Sequence, residues 1–423
     1  AALTQEVGCS GRSLLEQMLA TDLGQSRSHS GVVGAPHVPC SEIFAAELTG
    51  RQRFAVQEAL SSAVTLIHGP PGTGKTRTAA AIVQAWRHSF PSERVLCVAE
   101  SRAAVSNLAA ALVRVGIEAE THGWRGDRMQ IAGAGAMVVV ATCAGAGGGS
   151  LAGTFARLLV DEATQTTVPA TLIAMHRGVK SIVLIGDPCQ LPPTVITAEA
   201  RSVCLDVSLF EHCMSSGRQA VLLDVQFRMH PAISRFPSLE FYHGALVDAK
   251  MERPGLVEGA PVQFWHVDGE EELEGSSRVN SQEATQAATI ARAVIGNHSG
   301  VSVAVVAPYS AQRNRIQQIL SSGWHNGLLP HDHDRPEGSW PGSAGVTVGT
   351  VDSLQGSEFD VVIVSLTRAN ASGDLGFVSD PRRTNVLLTR ARCNLLVLGS
   401  RAVLEADPLW RRWLDHVRPA VGS

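Results

Sequence analysis

The chain has 423 residues, 44% of them hydrophobic, and a formal net charge of −4. That length accommodates two or three domains with sizeable cores, and the mildly acidic balance excludes nucleic-acid binding by bulk positive charge, so any such interface must be a local groove. Eight cysteines without one Cys-x-x-Cys pair argue against a zinc module or a disulfide framework, and no apolar run approaches a membrane span, so a cytoplasmic or nuclear protein with reduced thiols and no membrane contact is expected.

Residues 1–46 are a segment of unassigned role, with a helix predicted over 13–23 and a Gly/Ser/Pro-rich loop over 25–39. Thr49 is a candidate N-cap for a helix over 54–60. An apolar strand over 64–67 then leads into Gly69-Pro70-Pro71-Gly72-Thr73-Gly74-Lys75-Thr76, and a helical run over 78–86 follows. Alternating units continue: strand 95–99, helix 103–115, strand 137–141, a flexible Gly-rich loop over 144–150, strand 158–160 ending in Asp161-Glu162, and strand 181–185 ending in Gly186-Asp187. Ser215-Ser216-Gly217 suggests a boundary, which assigns 47–216 to a first domain and 217–416 to a second, with a tail over 417–423. Strands over 221–223, 262–267, 301–307, 346–351, 361–365 and 395–399 alternate with helices over 281–295, 310–320 and 384–390 in the second series. Such alternation predicts parallel sheets covered on both faces. A polar insert over 321–345, with His331-Asp332-His333-Asp334, reads as a solvated loop.

The strand–GxxxxGK[ST]–helix arrangement is a phosphate-binding loop. Gly72 and Gly74 let successive N–H groups, including that of Thr73, turn toward one anion, and the following helix adds its positive N-terminus. Lys75 supplies charge for the β/γ-phosphates of ATP, Thr76 a hydroxyl for Mg²⁺, and Arg77 is counted with the same nucleotide-binding set. Asp161, at a strand end, can hold Mg²⁺ through water, and Glu162 can orient or deprotonate the attacking water. The amides of Gln165 and Gln190 can sense the γ-phosphate or that water, and the Gln52 amide, just upstream of the loop, can read adenine. Arg228 and Arg390, in the second series, are candidates to stabilise charge on the transferring phosphoryl group.

Seven stretches occur in order: GPPGTGKT, DEATQ, GDPCQLPPTV, LDVQFRMHPAIS, APYSAQ, TVDSLQGSEFDVVIVSLTR and NVLLTRAR. From about Leu48 to Trp413 the chain resembles superfamily 1 helicases of the nonsense-mediated-decay type, relatives of senataxin and the immunoglobulin-mu-binding helicase. The resemblance implies two tandem RecA-like P-loop domains with parallel sheets and an ATP hydrolase working in the cleft between them. It matches Gln52 to the adenine reader, Phe227 to an aromatic stacked on the base, Glu358 to a ribose contact, Gln190 to the γ-phosphate sensor, and Arg228 and Arg390 to arginine fingers. Ser101, Arg102, Thr142, Tyr309, Thr350 and Ser353 are the expected nucleic-acid contacts, to backbone and sugar rather than to bases. Where the family usually has Pro-Ser/Thr-Asn, this chain has Glu100-Ser101-Arg102, which sets a phosphate-repelling carboxylate beside an attracting guanidinium. Residues 116–136 are short where larger relatives carry an accessory subdomain, so a near-minimal core is expected. The implied function is a 5′-to-3′ helicase or translocase on RNA or single-stranded DNA, acting as a monomer, with decay, repair or ribonucleoprotein factors as partners. The alternative is an ATP-gated clamp or ribonucleoprotein scaffold that does not unwind.

Overall fold

In the computed structural model, residues 48–125, 128–322 and 345–417 are described. The helix expected over 13–23, the loop over 25–39, nearly all of the insert over 321–345 and most of the tail over 417–423 lie outside them. The chain divides into two compact units, Ala1–Val225 and Gln226–Ser423.

The first unit is built on eight strands: β1 (Val64–His68), β2 (Val95–Ala99), β3 (Glu120–Arg125), β4 (Arg128–Gln130), β5 (Val138–Thr142), β6 (Arg157–Val160), β7 (Ser181–Gly186) and β8 (Val221–Leu222). Their order is β4-β3-β5-β2-β6-β7-β1-β8, parallel throughout except for the antiparallel β3–β4 edge. Successive strand residues point to opposite faces, so each strand feeds two apolar layers. Ile67, Cys97, Val140, Leu159 and Val183 pack with Val56, Trp86, Leu108 and Leu112, from helices α1 (Gly50–Ser61), α2 (Lys75–Ser89) and α3 (Arg102–Arg114). Leu66, Leu96, Val139, Leu158 and Ile182 pack on the other side with Leu172, Met175 and Phe210. These come from α5 (Val168–Met175) and α7 (Leu209–Ser215), which lie either side of the short α6 (Ala198–Ser202). The run Ala79-Ala80-Ala81 in α2 is buried, and such small side chains let the helix lie close to the sheet.

Three expectations need correction. Residues 221–223 do not open the second domain: β8 pairs with β1, at Ile67↔Val221 and His68↔Leu222, and extends the first sheet. The polar Ser215-Ser216-Gly217 that suggested a boundary only ends a helix, because Gly217 supplies the positive φ of 88° there. The stretch over 144–150 is not all loop, since α4 (Cys143–Ala146) begins directly at the end of β5. In addition, the short stretch over 116–136 contains the β3–β4 edge.

The second unit carries a five-stranded, all-parallel sheet in the order β11-β17-β16-β14-β15. These are β11 (Val262–His266), β14 (Val303–Val306), β15 (Val346–Gly349), β16 (Phe359–Ser365) and β17 (Ala391–Gly399). Two short pairs accompany it, β9 (Val225–Gln226) with β10 (Val247–Asp248) and β12 (Glu272–Glu274) with β13 (Ser277–Val279). Its apolar core joins α9 (Ser281–Asn297) and α10 (Ser310–Ser322) to the sheet through Ala287, Ala291, Ile316, Val305 and Ile363. Helices α8 (Pro231–Phe241), α11 (Pro381–Leu388), α12 (Arg401–Ala406) and α13 (Pro408–Val417) complete the unit. Both units are RecA-like α/β layers, in which ligands are expected at the carboxyl ends of the strands.

Candidate active site

The phosphate loop joins β1 to α2, and its shape needs glycine twice over. Gly72 and Gly74 have φ of 74° and 79°, and a Cβ on Gly74 would stand 2.8 Å from Gln52 Nε2. A Cβ on Gly69 would collide with the Lys75 methylenes, which cross it so that Nζ can donate to the Gly69 carbonyl at 3.0 Å. Gly74 caps α2 without a side-chain acceptor, so the N–H groups of the first turn face the loop as anion donors. Arg77 is exposed on that turn. Gln52 is buried and braces the loop. Its Nε2 donates to the Thr73 carbonyl at 3.0 Å, while Oε1 accepts from Thr49 N at 3.0 Å and closes a capping box on α1. The amide expected to read adenine is thus held at both ends by the protein.

The acidic pair follows β6. Asp161 Oδ2 lies 3.5 Å from Thr76 Oγ1, and Oδ1 accepts from Glu162 N at 3.0 Å. Burial, reinforced by the Glu162 charge, pushes the Asp161 carboxyl up, and Lys75 offsets this only in part. A buried carboxylate left short of positive charge beside a hydroxyl fits a hard divalent cation, so Thr76 and Asp161 suit Mg²⁺. Glu162 has φ 51°, a left-handed backbone uncommon for a residue other than glycine. Its Oε1 is 3.8 Å from Lys75 Nζ, and its Oε2 accepts from Gln165 Nε2 at 3.0 Å. Lys75, Thr76, Asp161, Glu162 and Gln165 are therefore brought together.

At the end of β7, Asp187 is fully buried and accepts from Gln190 Nε2 at 2.6 Å and from Cys189 N at 3.1 Å, and its Oδ1 lies 3.0 Å from His68 Nε2. One ligand atom each from His68, Asp187 and Cys189 lies within 4.8 Å of the others, but both Asp187 oxygens are engaged in hydrogen bonds, which makes this a polar network rather than an ion cage. His68 escaped the sequence reading. The signal that could have found it is its position as the last residue of a strand that feeds the loop.

In the second unit, Arg228 Nε is 2.6 Å from Glu358 Oε2 and Nη1 donates to the Thr389 carbonyl at 3.1 Å. Arg392 holds the other carboxylate oxygen at 2.6 Å, a partner the sequence did not disclose. Burial alone would raise the Glu358 pKa, but the Arg228 and Arg392 guanidiniums outweigh it and hold it at about 2. Arg390 is buried, donating to the carbonyls of Val386 at 3.0 Å and Ser357 at 3.3 Å and to Thr389 Oγ1 at 3.2 Å. Both arginines expected as fingers are bound within their own unit. Phe227 is half-buried beside them, its carbonyl accepting from Arg253.

The expected nucleic-acid contacts divide into two groups. Arg102 is exposed at the start of α3. Ser101 and Thr142 are N-caps, accepting from Ala104 N and Gly145 N, and Thr350 and Ser353 bond each other across a turn. Tyr309 requires a correction, because it is buried, with its hydroxyl accepting from Arg368 at 3.1 Å and its ring 5.5 Å from Phe377. The apolar ring follows β14 and is covered by the 377 segment, so it does not stand at the surface.

Known proteins supply an independent comparison. Two family models, each described as an AAA domain, match the chain, one over residues 47–131 and 129–198 and the other over 205–402. The regulator of nonsense transcripts 1 homolog of Arabidopsis thaliana is 32% identical over 91% of this chain, and the ATP-dependent helicase NAM7 of Saccharomyces cerevisiae is 33% identical over 88%. In sequence the chain carries two AAA domains and is similar to helicases of the nonsense-transcript-regulator type. It spans 34% of the Arabidopsis relative and 44% of the yeast relative. Among solved structures, the DUF1998 helicase MrfA bound to DNA superposes with a TM-score of 0.48 at 12% identity, covering 96% of this chain and 54% of that one. Among the described residues, no helix is long and apolar enough to cross a membrane.

Proposed function

We propose that this chain is the ATPase core of a helicase or translocase that moves on single-stranded RNA or DNA. The observation that carries the proposal is the cluster at the carboxyl ends of β1 and β6: Lys75 and Glu162 3.8 Å apart, and Thr76 beside a buried Asp161 short of positive charge. Lys75 and the start of α2 receive the β/γ-phosphates. Thr76 and Asp161 hold Mg²⁺, which when bound neutralises charge on the phosphate oxygens. Glu162, steadied by Gln165, takes a proton from water as the water oxygen bonds to the γ-phosphorus and the bond to the leaving ADP oxygen breaks. Arg228 and Arg390 are the second unit's contribution to the transferring phosphoryl group, which requires Arg228 to exchange Glu358 for phosphate. In this reading Gln52, on releasing the Thr73 carbonyl, contacts the base together with Phe227, Glu358 contacts the ribose, and ATP turnover advances the chain 5′-to-3′ along a strand gripped through Arg102 and neighbouring loops. Partners in decay or repair, monomeric action and a cytoplasmic or nuclear location belong to the same reading.

The test is ATP hydrolysis with matched RNA and DNA oligonucleotides at a stated salt concentration, alongside displacement of a strand from a duplex with a 5′ overhang. Stimulated hydrolysis with displacement is expected. Unstimulated hydrolysis without displacement would exclude the proposal. A second reading, an ATP-gated clamp that binds without unwinding, is motivated by Glu100 beside the expected strand-gripping loop and by the short stretch over 116–136, and predicts ATP-dependent strand retention without displacement.

A further inference from the structure

The ends of β1 and β7 are locked in register, His68 opposite Gly186, and Gly69 N donates to the Gly186 carbonyl at 2.9 Å. This fixes the His68 ring beside Asp187, where Nε2 approaches Oδ1 at 3.0 Å. Asp187 is held on its other sides as well. Its N–H donates to Thr164 Oγ1 at 3.1 Å, Cys189 N donates to Oδ1, and Gln190 N donates to its carbonyl at 3.0 Å. Gln190 is a flexible side chain anchored to this carboxylate through a 2.6 Å bond from Nε2. A carboxylate accepts only from the amide's NH₂ end, so the anchor also decides which way the Gln190 carbonyl faces.

We propose that His68 is a positioning residue for ATP hydrolysis, setting the Gln190 amide through Asp187. The proposal rests on the reading that Gln190 faces the reacting phosphate or water. In outline, the imidazole N–H shares the load on Oδ1, Oδ2 stays directed at Gln190, and the sensor arrives with one orientation. Burial favours the neutral acid at Asp187, and the His68 contact, with Lys75 nearby, outweighs it and holds the carboxyl below its usual range. The anchor therefore remains an acceptor. Without a donor at position 68, Oδ1 loses the imidazole N–H, and the carboxylate's hold on the Gln190 amide weakens.

The experiment compares the full chain with His68→Leu, His68→Gln, Gln190→Ala and the His68→Leu/Gln190→Ala double variant. Steady-state ATP hydrolysis is measured with a saturating single-stranded oligonucleotide, and thermal unfolding is recorded for each protein. His68→Leu is expected to lower kcat about tenfold or more while KM for ATP moves less than about twofold, and His68→Gln, which restores an N–H donor, should recover most of the loss. The double variant should turn over no more slowly than Gln190→Ala alone. Equal rates for His68→Leu and His68→Gln, whether high or low, overturn the proposal, as does additive loss in the double variant. If Gln190→Ala slows turnover and His68→Leu does not, this inference alone fails. A wild-type chain without stimulated hydrolysis removes the functional reading and this inference together.

Discussion

The two units hold their reactive side chains in opposite ways. In the first unit, Lys75 at the start of α2 and Asp161 and Glu162 after β6 leave their charges incompletely matched, and the Asp161 pKa is raised by burial and by Glu162. In the second, Arg228 and Arg392 are matched by Glu358 and Asp360, and Arg390 is satisfied by carbonyls of its own unit. The first unit's cluster stands to gain from a ligand's charge, while the second unit's charges are already matched. Opposite charges already paired at 2.6 Å exchange partners only for something of comparable strength, which is what the proposed finger role asks of Arg228.

Removing the first unit's charges should have the largest effect. Glu162→Gln is expected to slow ATP turnover about 10²–10⁴-fold with nucleotide binding retained, while Lys75→Ala should lose both, as read by steady-state hydrolysis and nucleotide titration. Equal loss of binding in both variants would mean that Glu162 acts on the ground state. The second unit's arginines should separate from each other. Arg228→Ala is expected to lower kcat about 10³-fold and to cost stability in a pH-dependent way, because Glu358 loses one of its two guanidiniums and that loss fades as pH falls from 4.5 toward 2. Arg390→Ala should also destabilise its unit by about 1–3 kcal/mol, because the Ser357 carbonyl and Thr389 Oγ1 each lose a donor in a buried site while the Val386 carbonyl keeps those from Thr389. If Arg390→Ala leaves thermal unfolding unchanged, its bonds are not structural.

Glu358 offers a test by pH. Its folded pKa, about 2, lies below the ordinary 4.5, so its stabilising contribution is present above 4.5 and is lost as pH falls toward 2. Glu358→Gln should therefore be less stable than the wild type at pH 7, with the gap narrowing through that window in acid-unfolding curves. A gap independent of pH would show that the carboxylate's charge is not what Arg228 and Arg392 recognise. The smallest expected effect is at Arg102, exposed where Ser101 caps α3. Arg102→Ala should weaken strand binding about equally for all sequences and reduce the salt slope by about 1, without changing hydrolysis in the absence of nucleic acid. In contrast, Ser101→Ala should cost about 1 kcal/mol of stability through the lost cap.

What could be read in advance followed from local chemistry. Gly72 and Gly74 appear where the backbone must turn left-handed, Lys75 and Thr76 where a loop opens a helix, and Asp161-Glu162 where an apolar strand stops. Each of these features is a short-range consequence of residue type, so the parallel α/β layers and the grouping of Lys75, Thr76, Asp161 and Glu162 were legible from one sequence, while the RecA-like class followed from the resemblance. The destinations of long-range partners were not. Residues 221–223 look like any short strand, and only the open edge of β1 decides that they complete the first sheet. Tyr309 sits in a segment that resembles a nucleic-acid loop, yet its ring is covered by residues near 377. Register alone brings His68 to Asp187 across 119 positions, and the carboxylate of Glu358 lies between two arginines that are 130 and 34 positions away. Backbone conformation is set by neighbours in the chain, and sequence records it directly. Which charges neutralise which depends on how distant strands align, and that is decided only when the sheets form.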